Sequence, residues 1–436
     1  MKRKVDSRLL EWKESPSRLP LIVQGARQVG KTFAITNFGR EYYKNTVYLN
    51  FESHPDIGRI FEADLSPERI IREISIYSAS SIFEQDTLLF FDEIQTCEKA
   101  LTSLKYFAEQ TPDYHIIAAG SLLGVGVNRS EFSYPVGKVE HMTLYPMDFE
   151  EYLWAIDQHD AVSIIRESFT GNRPTGIHQV LMNYHEQFIF TGGMPGVIKS
   201  FVDSGDPVSV QVQQKSIDNA YIADMVKYAS NWETVKIMAV YDCIPKQLAK
   251  ENKKFQYKTI KTGARASEYS TPLDWLQSAG LIIKCVKVNE GVFPLVSGAD
   301  AGHFKIYMAD TGILCSRYGV PQHLFFSGMS DLHKIKGILA ENHVAVALLS
   351  SGFAPYYWES KGIAEVDFVI QDGRGDVIPI EVKSSDHVRS KSLQQFIKTY
   401  EPAYAIRVST KNFGFENGIK SIPLYGMFCL GDDRQG

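Results

Sequence analysis

The chain has 436 residues, of which 44% are hydrophobic and 22% are charged, a composition that excludes a largely disordered protein. This length exceeds what one hydrophobic core usually organises, so we expect two to four domains of roughly 100 to 150 residues each. With 46 basic and 51 acidic residues the formal net charge is −5, which excludes a uniformly basic nucleic-acid coat but allows a local basic patch.

The cysteines and the apolar runs bear on the cellular compartment. The five cysteines are widely spaced, with none of the paired spacings that favour zinc or a disulfide framework. No apolar run of the secretory type follows the charged residues 1–6, and the longest apolar runs are far shorter than the roughly 20 residues that cross a bilayer. These patterns predict a cytoplasmic protein with no membrane partner.

The first motif in chain order is a glycine-rich segment between an apolar run, residues 20–24, and a helix-like run, residues 33–38. Backbone N–H groups of such a segment can bind phosphates, Lys31 can neutralise the β- and γ-phosphates during catalysis, and Thr32 can ligate Mg²⁺. The predicted nucleotide-binding residues are Gly25, Ala26, Arg27, Gln28, Val29, Gly30, Lys31, Thr32 and Phe33. The alternative is a plain glycine-rich turn before a helix.

The second motif is a continuous apolar run, residues 87–91, that ends in Asp92 and Glu93. Such a run is typical of a strand buried on both faces, and ligands of open α/β sheets lie at the carboxyl ends of strands. Asp92 is therefore predicted to hold Mg²⁺, and Glu93 to polarise the attacking water. The alternative is that Asp92 caps a helix.

A third apolar run, residues 115–120, ends at Ser121, whose hydroxyl could sense the γ-phosphate from a neighbouring strand tip. A glycine followed by a serine after a strand is also common in ordinary turns, so both interpretations stay open.

The segments 25–32 and 88–93 resemble the Walker A and Walker B motifs of AAA+-type ATPases, and Ser121 falls where that class places its sensor 1 residue. Residues 120–151 further resemble a prokaryotic ATPase family of largely unassigned role. The resemblance implies an α/β P-loop core, ATP and Mg²⁺ as ligands, and a helical lid.

Three further segments fit the same resemblance. Asp148 with a glutamate three residues later predicts a capped helix that opens the lid. Residues 192–195 resemble a glycine-proline turn that related ATPases place beside the nucleotide base, although a plain turn between helices fits as well. Arg129 is a candidate arginine finger towards a neighbouring subunit, the alternative being a solvated surface arginine.

The middle region predicts a winged helix-turn-helix. Residues 235–241 and 245–249 are helix-like, and a third helix is predicted over 270–280, with Thr271 as N-cap and Pro272 as its first residue. Strand-like runs at 281–288 and 304–308 would form the wing. Its basic residues favour contact with DNA, although they could equally form a solvated face: Lys246, Lys250, Lys253, Lys254, Lys258, Lys261 and Arg265.

Near the C-terminus, residues 365–370 and 377–383 alternate as two strands joined by a turn-rich segment. If the hairpin is symmetric about Arg374, Asp367 faces Glu381 and Glu365 faces Lys383, with Cβ separations of about 5 Å. An aspartate is disfavoured in mid-strand, and this group of side chains could bind Mg²⁺ and activate water.

Asp367 with the segment 381–383 resembles the active-site signature of PD-(D/E)xK nucleases. The resemblance implies catalytic roles for Asp367, Glu381 and Lys383, and metal-ligand roles for Glu341, Asp367 and Glu381. Gln394 follows on the next predicted helix. The alternative is a structural or docking domain with a solvated acidic face.

Together these patterns predict an α/β protein with a P-loop ATPase core (1–145), a helical lid (146–233), a winged-helix-like domain (234–330) and a nuclease-like α/β domain (331–436). The predicted function is ATP hydrolysis coupled to DNA, with a homo-oligomer or a protein partner possible. The alternative is a switch that is controlled by ATP and ADP and docks protein partners without nuclease activity.

Overall fold

The structure is a computed structural model that describes residues 1–121, 134–229, 231–327, 332–360, 362, 364–383 and 391–434. The chain forms two compact units. Unit 1 comprises Met1–Tyr145 with Ser278–Gly280, and unit 2 comprises Pro146–Gln277 with Leu281–Gly436. Within the described ranges, every helix is too short or too polar to span a membrane.

Unit 1 is built on a parallel sheet with the strand order β2-β3-β4-β1-β5. The strands are β1 (Leu21–Gln24), β2 (Asn45–Asn50), β3 (Thr87–Asp92), β4 (His115–Gly120) and β5 (Glu140–Thr143). The helices are α1 (Lys4–Glu14), α2 (Lys31–Tyr42), α3 (Pro67–Tyr77) and α4 (Glu98–Gln110), with 3-10 turns at Pro55–Phe61 and Ile94–Thr96.

The interior strands β3 and β4 match the strands predicted from their apolar runs. All six residues of β3 and all six of β4 are buried, as expected for parallel strands covered on both faces. On one face Phe91 packs edge-on against Phe51 and Phe61. Because all five strands are parallel, the carboxyl ends of β1, β3 and β4 lie at one edge of the sheet.

Unit 2 contains both helices and strands. Its described helices are α5 (Phe149–Ala155), α6 (His159–Gly171), α7 (His178–Thr191), α8 (Pro195–Ser204), α9 (Pro207–Tyr228), α10 (Asn231–Leu248), α11 (Ala266–Ser278), α12 (Thr311–Arg317), α13 (Gln322–Phe325), α14 (His333–Ser350) and α15 (Lys391–Tyr400). The predicted cap of α5 is confirmed, because Asp148 Oδ1 accepts from Glu151 N at 3.0 Å and Glu151 Oε2 accepts from Asp148 N at 3.1 Å.

Residues 192–195 form a turn between α7 and α8. Gly192 has a φ of +74°, and Pro195 is the first residue of α8. A Cβ at Gly193 would overlap the Met147 carbonyl oxygen, so the turn requires glycine there. Residues 192–195 therefore form a turn between helices, which both interpretations of this segment require.

The predicted helices of the middle region were wrong in two places. Residues 235–241 and 245–248 belong to the single helix α10, which contains Pro245. α11 starts at Ala266, so Thr271 is not its N-cap and Pro272 lies inside it. Buried side chains on both sides of each proline, such as Tyr241 and Leu248 in α10, extend the packed face. Tertiary packing therefore outweighs the hydrogen bond that each proline removes.

Unit 2 also contains an eight-stranded sheet with the order β12-β13-β11-β10-β9-β8-β6-β7. Its strands are β6 (Ile282–Val288), β7 (Ala299–Met308), β8 (Tyr356–Ser360), β9 (Ala364–Gln371), β10 (Val377–Val382), β11 (Ala405–Ser409), β12 (Gly414–Glu416) and β13 (Ile419–Pro423). β6 pairs antiparallel with β7 and parallel with β8. The two strands predicted to form a wing therefore continue the C-terminal sheet across residue 330, the boundary suggested by the sequence.

The predicted symmetry of the β9–β10 hairpin about Arg374 is confirmed for residues 368–371 and 377–380. Val377 pairs with Gln371 and Ile380 with Phe368, so residues equidistant from Arg374 face one another. The register follows from the alternation of apolar and polar residues, because a shift by one position would move every apolar side chain to the other face.

Candidate functional site

The glycine-rich segment of unit 1 joins β1 to α2 in a conformation that only glycine adopts readily. Gly25 has a φ of +151° and Gly30 a φ of +95°. A Cβ on Gly25 would overlap the carbonyl oxygen of Leu144. The loop therefore curls tightly before α2, as a backbone that presents N–H groups to phosphates must.

Lys31 lies at the start of α2 and folds back over the loop. Its Nζ donates to Gly25 O at 2.9 Å and to Ala26 O at 3.0 Å. The ammonium group is thus held at the mouth of the loop, where it can meet the β- and γ-phosphates of a nucleotide. Among the other predicted binding residues, Phe33 is 65% exposed on the outer face of α2.

Thr32 and Asp92 connect the loop to the tip of β3. Thr32 Oγ1 donates to Asp92 Oδ2 at 3.0 Å, and the same carboxylate oxygen accepts from Tyr48 Oη at 2.9 Å. Asp92 is only 3% exposed. Hydroxyl and carboxylate oxygens are the ligands that Mg²⁺ prefers, so these residues fit the ion that the resemblance implies.

Glu93 follows Asp92 in a left-handed conformation, with a φ of +53°. Its Oε2 accepts from Gln95 Nε2 at 2.6 Å. Burial raises the pKa of the Glu93 carboxyl, and the hydrogen bond from Gln95 opposes that rise. A carboxylate with a raised pKa beside a phosphate loop is suited to accept a proton from water.

Ser121 is buried directly after β4, the strand that lies between β1 and β3. β4 places Gly120 beside Gln24 and Ala119 beside Asp92. Ser121 therefore lies at the same sheet edge as the loop and the two acids. Arg129, the candidate arginine finger, lies outside the described residues.

Two residues of this site were missed from the sequence. Arg3 is 7% exposed, and its guanidinium donates to Val29 O and to Tyr145 O, each at 3.0 Å. Tyr48 reaches Asp92 from the neighbouring strand β2. No local pattern marks Arg3, whereas Tyr48 could have been found from the pairing of β2 with β3 had the strand order been known.

In unit 2 the structure brings the C-terminal candidates into one charged cluster. Lys383 Nζ lies 2.6 Å from Glu381 Oε1, and Asp367 Oδ2 accepts from Val382 N at 2.9 Å. Glu341 on α14 accepts from Tyr307 Oη at 2.6 Å. Gln394 is exposed on α15.

Two lysines that were not predicted to belong to this cluster form ion pairs with its carboxylates. Lys253 Nζ pairs with Glu341 Oε2, and Lys305 Nζ lies 2.6 Å from Glu365 Oε1 and 3.7 Å from Glu341 Oε1. In the part of the chain that the structure describes, no three His, Cys, Asp or Glu side chains are arranged to hold a metal ion. The arrangement thus does not fit the Mg²⁺ implied for Glu341, Asp367 and Glu381, because ammonium groups already face the carboxylates.

The ionisation of the cluster follows from burial and charge together. Burial raises the pKa of Asp367 to about 7, and the neighbouring carboxylates Glu341 and Glu381 contribute to the rise. Burial alone would lower the pKa of Lys305, but Glu341, Glu365 and Asp367 outweigh burial and the pKa of this ammonium is raised. Lys305 is therefore charged at neutral pH.

The basic residues of the middle region divide into two groups. Lys250 donates to Gln256 Oε1 at 3.2 Å, Lys253 pairs with Glu341, and Lys254 pairs with Glu359. The remaining four are exposed: Lys246, Lys258, Lys261 and Arg265. Part of the charge that suggested DNA contact thus neutralises carboxylates within unit 2.

Three segments of the chain match models of known protein families. Residues 17–153 match the model of an AAA domain. Residues 182–324 match a domain of unknown function (DUF8612), and residues 336–427 match another (DUF4143). A search of curated proteins gave no match.

Among solved structures, the chain is similar to a Walker-type ATPase of Pyrococcus abyssi, with 15% identity, a TM-score of 0.45, and coverage of 73% of this chain and 95% of that one. It is similar to the ORC2 protein of Aeropyrum pernix, with 12% identity, a TM-score of 0.36, and coverage of 72% and 89%. The RuvB branch-migration motor of Thermotoga maritima shares 14% identity, with a TM-score of 0.29 and coverage of 65% and 89%.

The family match and the geometry agree on unit 1. The AAA domain model spans the loop at 25–32, the acids at the tip of β3, and Ser121. These residues meet at one edge of a parallel sheet. Residues 17–153 therefore match an AAA domain, and the phosphate loop and the acids at the tip of β3 lie within that match.

Proposed function

We propose that the protein binds and hydrolyses ATP at the edge of the unit 1 sheet and works in association with DNA. The observation that carries the ATPase proposal is the hydrogen bond between Thr32 Oγ1 and Asp92 Oδ2, 3.0 Å long. It joins the phosphate loop to the tip of the strand that ends in Glu93. Thr32 and Asp92 lie 60 positions apart in the sequence, so this contact is a property of the fold.

Each residue has a definable task in this proposal. The loop N–H groups and Lys31 bind the phosphates, and Thr32 with Asp92 would hold Mg²⁺. Mg²⁺ bound there supplies positive charge to the phosphate oxygens. Glu93 orients the attacking water and accepts its proton, while the Ser121 hydroxyl contacts the γ-phosphate.

The test separates binding from hydrolysis. Glu93→Gln should bind ATP in a calorimeter as the wild type does, while phosphate release falls by about 100-fold or more, because general-base catalysis contributes on the order of 10²–10⁴. Lys31→Ala should lose binding. The exposed Glu84→Gln is the control and should behave as wild type. Normal hydrolysis by Glu93→Gln would show that the assigned role is wrong.

Association with DNA is proposed from the exposed residues Lys246, Lys258, Lys261 and Arg265 of the middle region, with residues 146–233 acting as a lid. A variant with Lys258, Lys261 and Arg265 changed to alanine should bind labelled duplex DNA more weakly. The slope of log affinity against log salt should become shallower by about 1 for each of these side chains that neutralises a phosphate in the wild-type complex.

The matched control for DNA binding changes three exposed lysines elsewhere to alanine: Lys391, Lys398 and Lys411. Equal DNA affinity of the two triple variants would contradict the assignment. Stimulation of ATP turnover by DNA that disappears in the first variant and persists in the control would link the two activities. Light scattering with and without ATP tests whether the protein forms the homo-oligomer expected from the sequence.

A second function is favoured by the lysines in the C-terminal cluster. In this second function, the ATPase is a switch that docks protein partners, and the nuclease-like domain, residues 331–436, does not cleave nucleic acid. Mg²⁺-dependent loss of labelled DNA should then be absent in wild type. Cleavage that disappears in Asp367→Ala and in Lys383→Ala would instead establish a nuclease, and cleavage that persists in both variants would come from a contaminant.

A further inference from the structure

Lys305 occupies a position where a lysine is not expected. It lies in β7, where the last five residues of the strand are all buried, and its own side chain is 1% exposed. A charged side chain is almost never buried to this extent unless it is paired. Its partners must therefore explain why it is there.

The partners of Lys305 are the carboxylates of the C-terminal cluster. Its Nζ lies 2.6 Å from Glu365 Oε1 on β9 and 3.7 Å from Glu341 Oε1 on α14. The centre of the Tyr357 ring lies 5.1 Å away. The ammonium group thus stands between a strand carboxylate and a helix carboxylate, within the group of acids that includes Asp367 and Glu381.

Two further ammonium groups contribute to the balance of charge. Lys253 pairs with Glu341, and Lys383 lies 2.6 Å from Glu381. Among the described residues, the four carboxylates of the cluster therefore face three ammonium groups, of which Lys305 is the most deeply buried. A divalent ion on Glu341 would have to share its oxygens with two lysines, and like charges at such separations repel strongly in a buried site.

We infer that Lys305 is the resident cation of this cluster, and that it takes the place of a divalent metal ion among Glu341, Glu365, Asp367 and Glu381. The cluster binds no Mg²⁺ or Mn²⁺ while Lys305 is present. Replacing Lys305 with a neutral side chain of similar length opens a divalent-cation site there. The inference is independent of the proposed ATPase activity, because it concerns unit 2 alone.

The first experiment needs no change at Lys305. Mn²⁺ binding to the full-length protein without nucleotide is counted by electron paramagnetic resonance, in wild type and in Asp367→Asn. The two proteins should bind the same number of ions with the same affinity, because any ion in the ATPase unit is common to both. If wild type binds an ion that Asp367→Asn does not, the inference is overturned.

The second experiment removes the resident cation. Lys305→Met should bind one Mn²⁺ more than wild type, and Lys305→Met/Asp367→Asn should not bind this additional ion. Lys284→Met is the matched control, because Lys284 lies on the paired strand beside Cys285, the partner of Lys305, and contacts the Phe304 ring instead. A folded Lys305→Met protein that binds no additional ion overturns the inference.

A further variant guards against failure to fold. Removing one partner of a buried ion pair is strongly destabilising, whereas removing both is much less so. Lys305→Met/Glu365→Gln should therefore fold better than Lys305→Met and should still bind the additional Mn²⁺ ion. Absence of the extra ion in the folded double variant would equally overturn the inference.

Discussion

Arg3 offers the sharpest test of how unit 1 holds its phosphate loop. Its guanidinium donates to Val29 O inside the loop and to Tyr145 O, each at 3.0 Å, and the residue is 7% exposed. Arg3→Met keeps most of the side-chain volume and removes both hydrogen bonds. We expect the loop to become less ordered, because these two bonds tie its Val29 carbonyl and the Tyr145 carbonyl to the start of α1.

The magnitude follows from the two bonds. Hydrogen bonds from a charged donor contribute roughly 1.5–3 kcal/mol each, so the two bonds together contribute about 3–6 kcal/mol. The dehydration of a buried guanidinium offsets part of this, which leaves a decrease in unfolding free energy of about 2–3 kcal/mol. For a unit of this size that decrease lowers Tm by about 5–10 °C.

The assay is differential scanning calorimetry of the full chain, followed by ATP titration. ATP affinity should fall about tenfold, which corresponds to about 1.4 kcal/mol, because the loop must be ordered during binding. The exposed Arg8→Met on α1 is the control. If Arg3→Met melts and binds ATP as Arg8→Met does, the argument that Arg3 orders the loop is refuted.

Three further outcomes are expected. Tyr48→Phe removes one hydrogen bond to Asp92, so the Mg²⁺ concentration for half-maximal ATP turnover should rise about five- to tenfold, and an unchanged Mg²⁺ titration would contradict this. Gln95→Leu removes a bond that lowers the pKa of Glu93, so the acidic limb of the pH profile of kcat should move to higher pH, and an unmoved limb would show that Glu93 does not set it. The pKa of Asp367 is raised from 3.8 to about 7, so its contribution to stability is fully present below about pH 4 and is lost as the pH rises through about 7. Urea unfolding should show wild type losing stability relative to Asp367→Asn between pH 5 and pH 8, and a constant difference would argue against a raised pKa.

The local sequence determined the parts of this protein whose physics is local. The loop at 25–32 could be recognised because glycine is required where φ is positive, and β3 and β4 because parallel strands buried on both faces are continuously apolar. The register of the C-terminal hairpin followed from period-two alternation together with a turn centred on Arg374. Each of these features is set by residues close together in the chain.

The sequence was less informative wherever packing competes with local preference. Pro245 and Pro272 indicated helix boundaries, yet both lie inside helices whose buried faces run past them. The strands β6 and β7 had the pattern of an isolated wing, but the pairing of β6 with β8 makes them part of a larger sheet. The pairing of one strand with another depends on backbone N–H and C=O groups that nearly every residue carries. The choice of partner strand therefore leaves little trace in the sequence.

The amino-acid sequence by itself thus determined the phosphate loop, the acids at the tip of β3 and the symmetry of the C-terminal hairpin about Arg374. Only the tertiary structure decided which distant groups join them. Arg3 reaches Tyr145 across 142 positions, and Lys253 reaches Glu341 across 88. A buried charge is stabilised by whatever lies near it in space, and for Lys305 those neighbours come from a helix and a strand that no pattern within β7 could reveal.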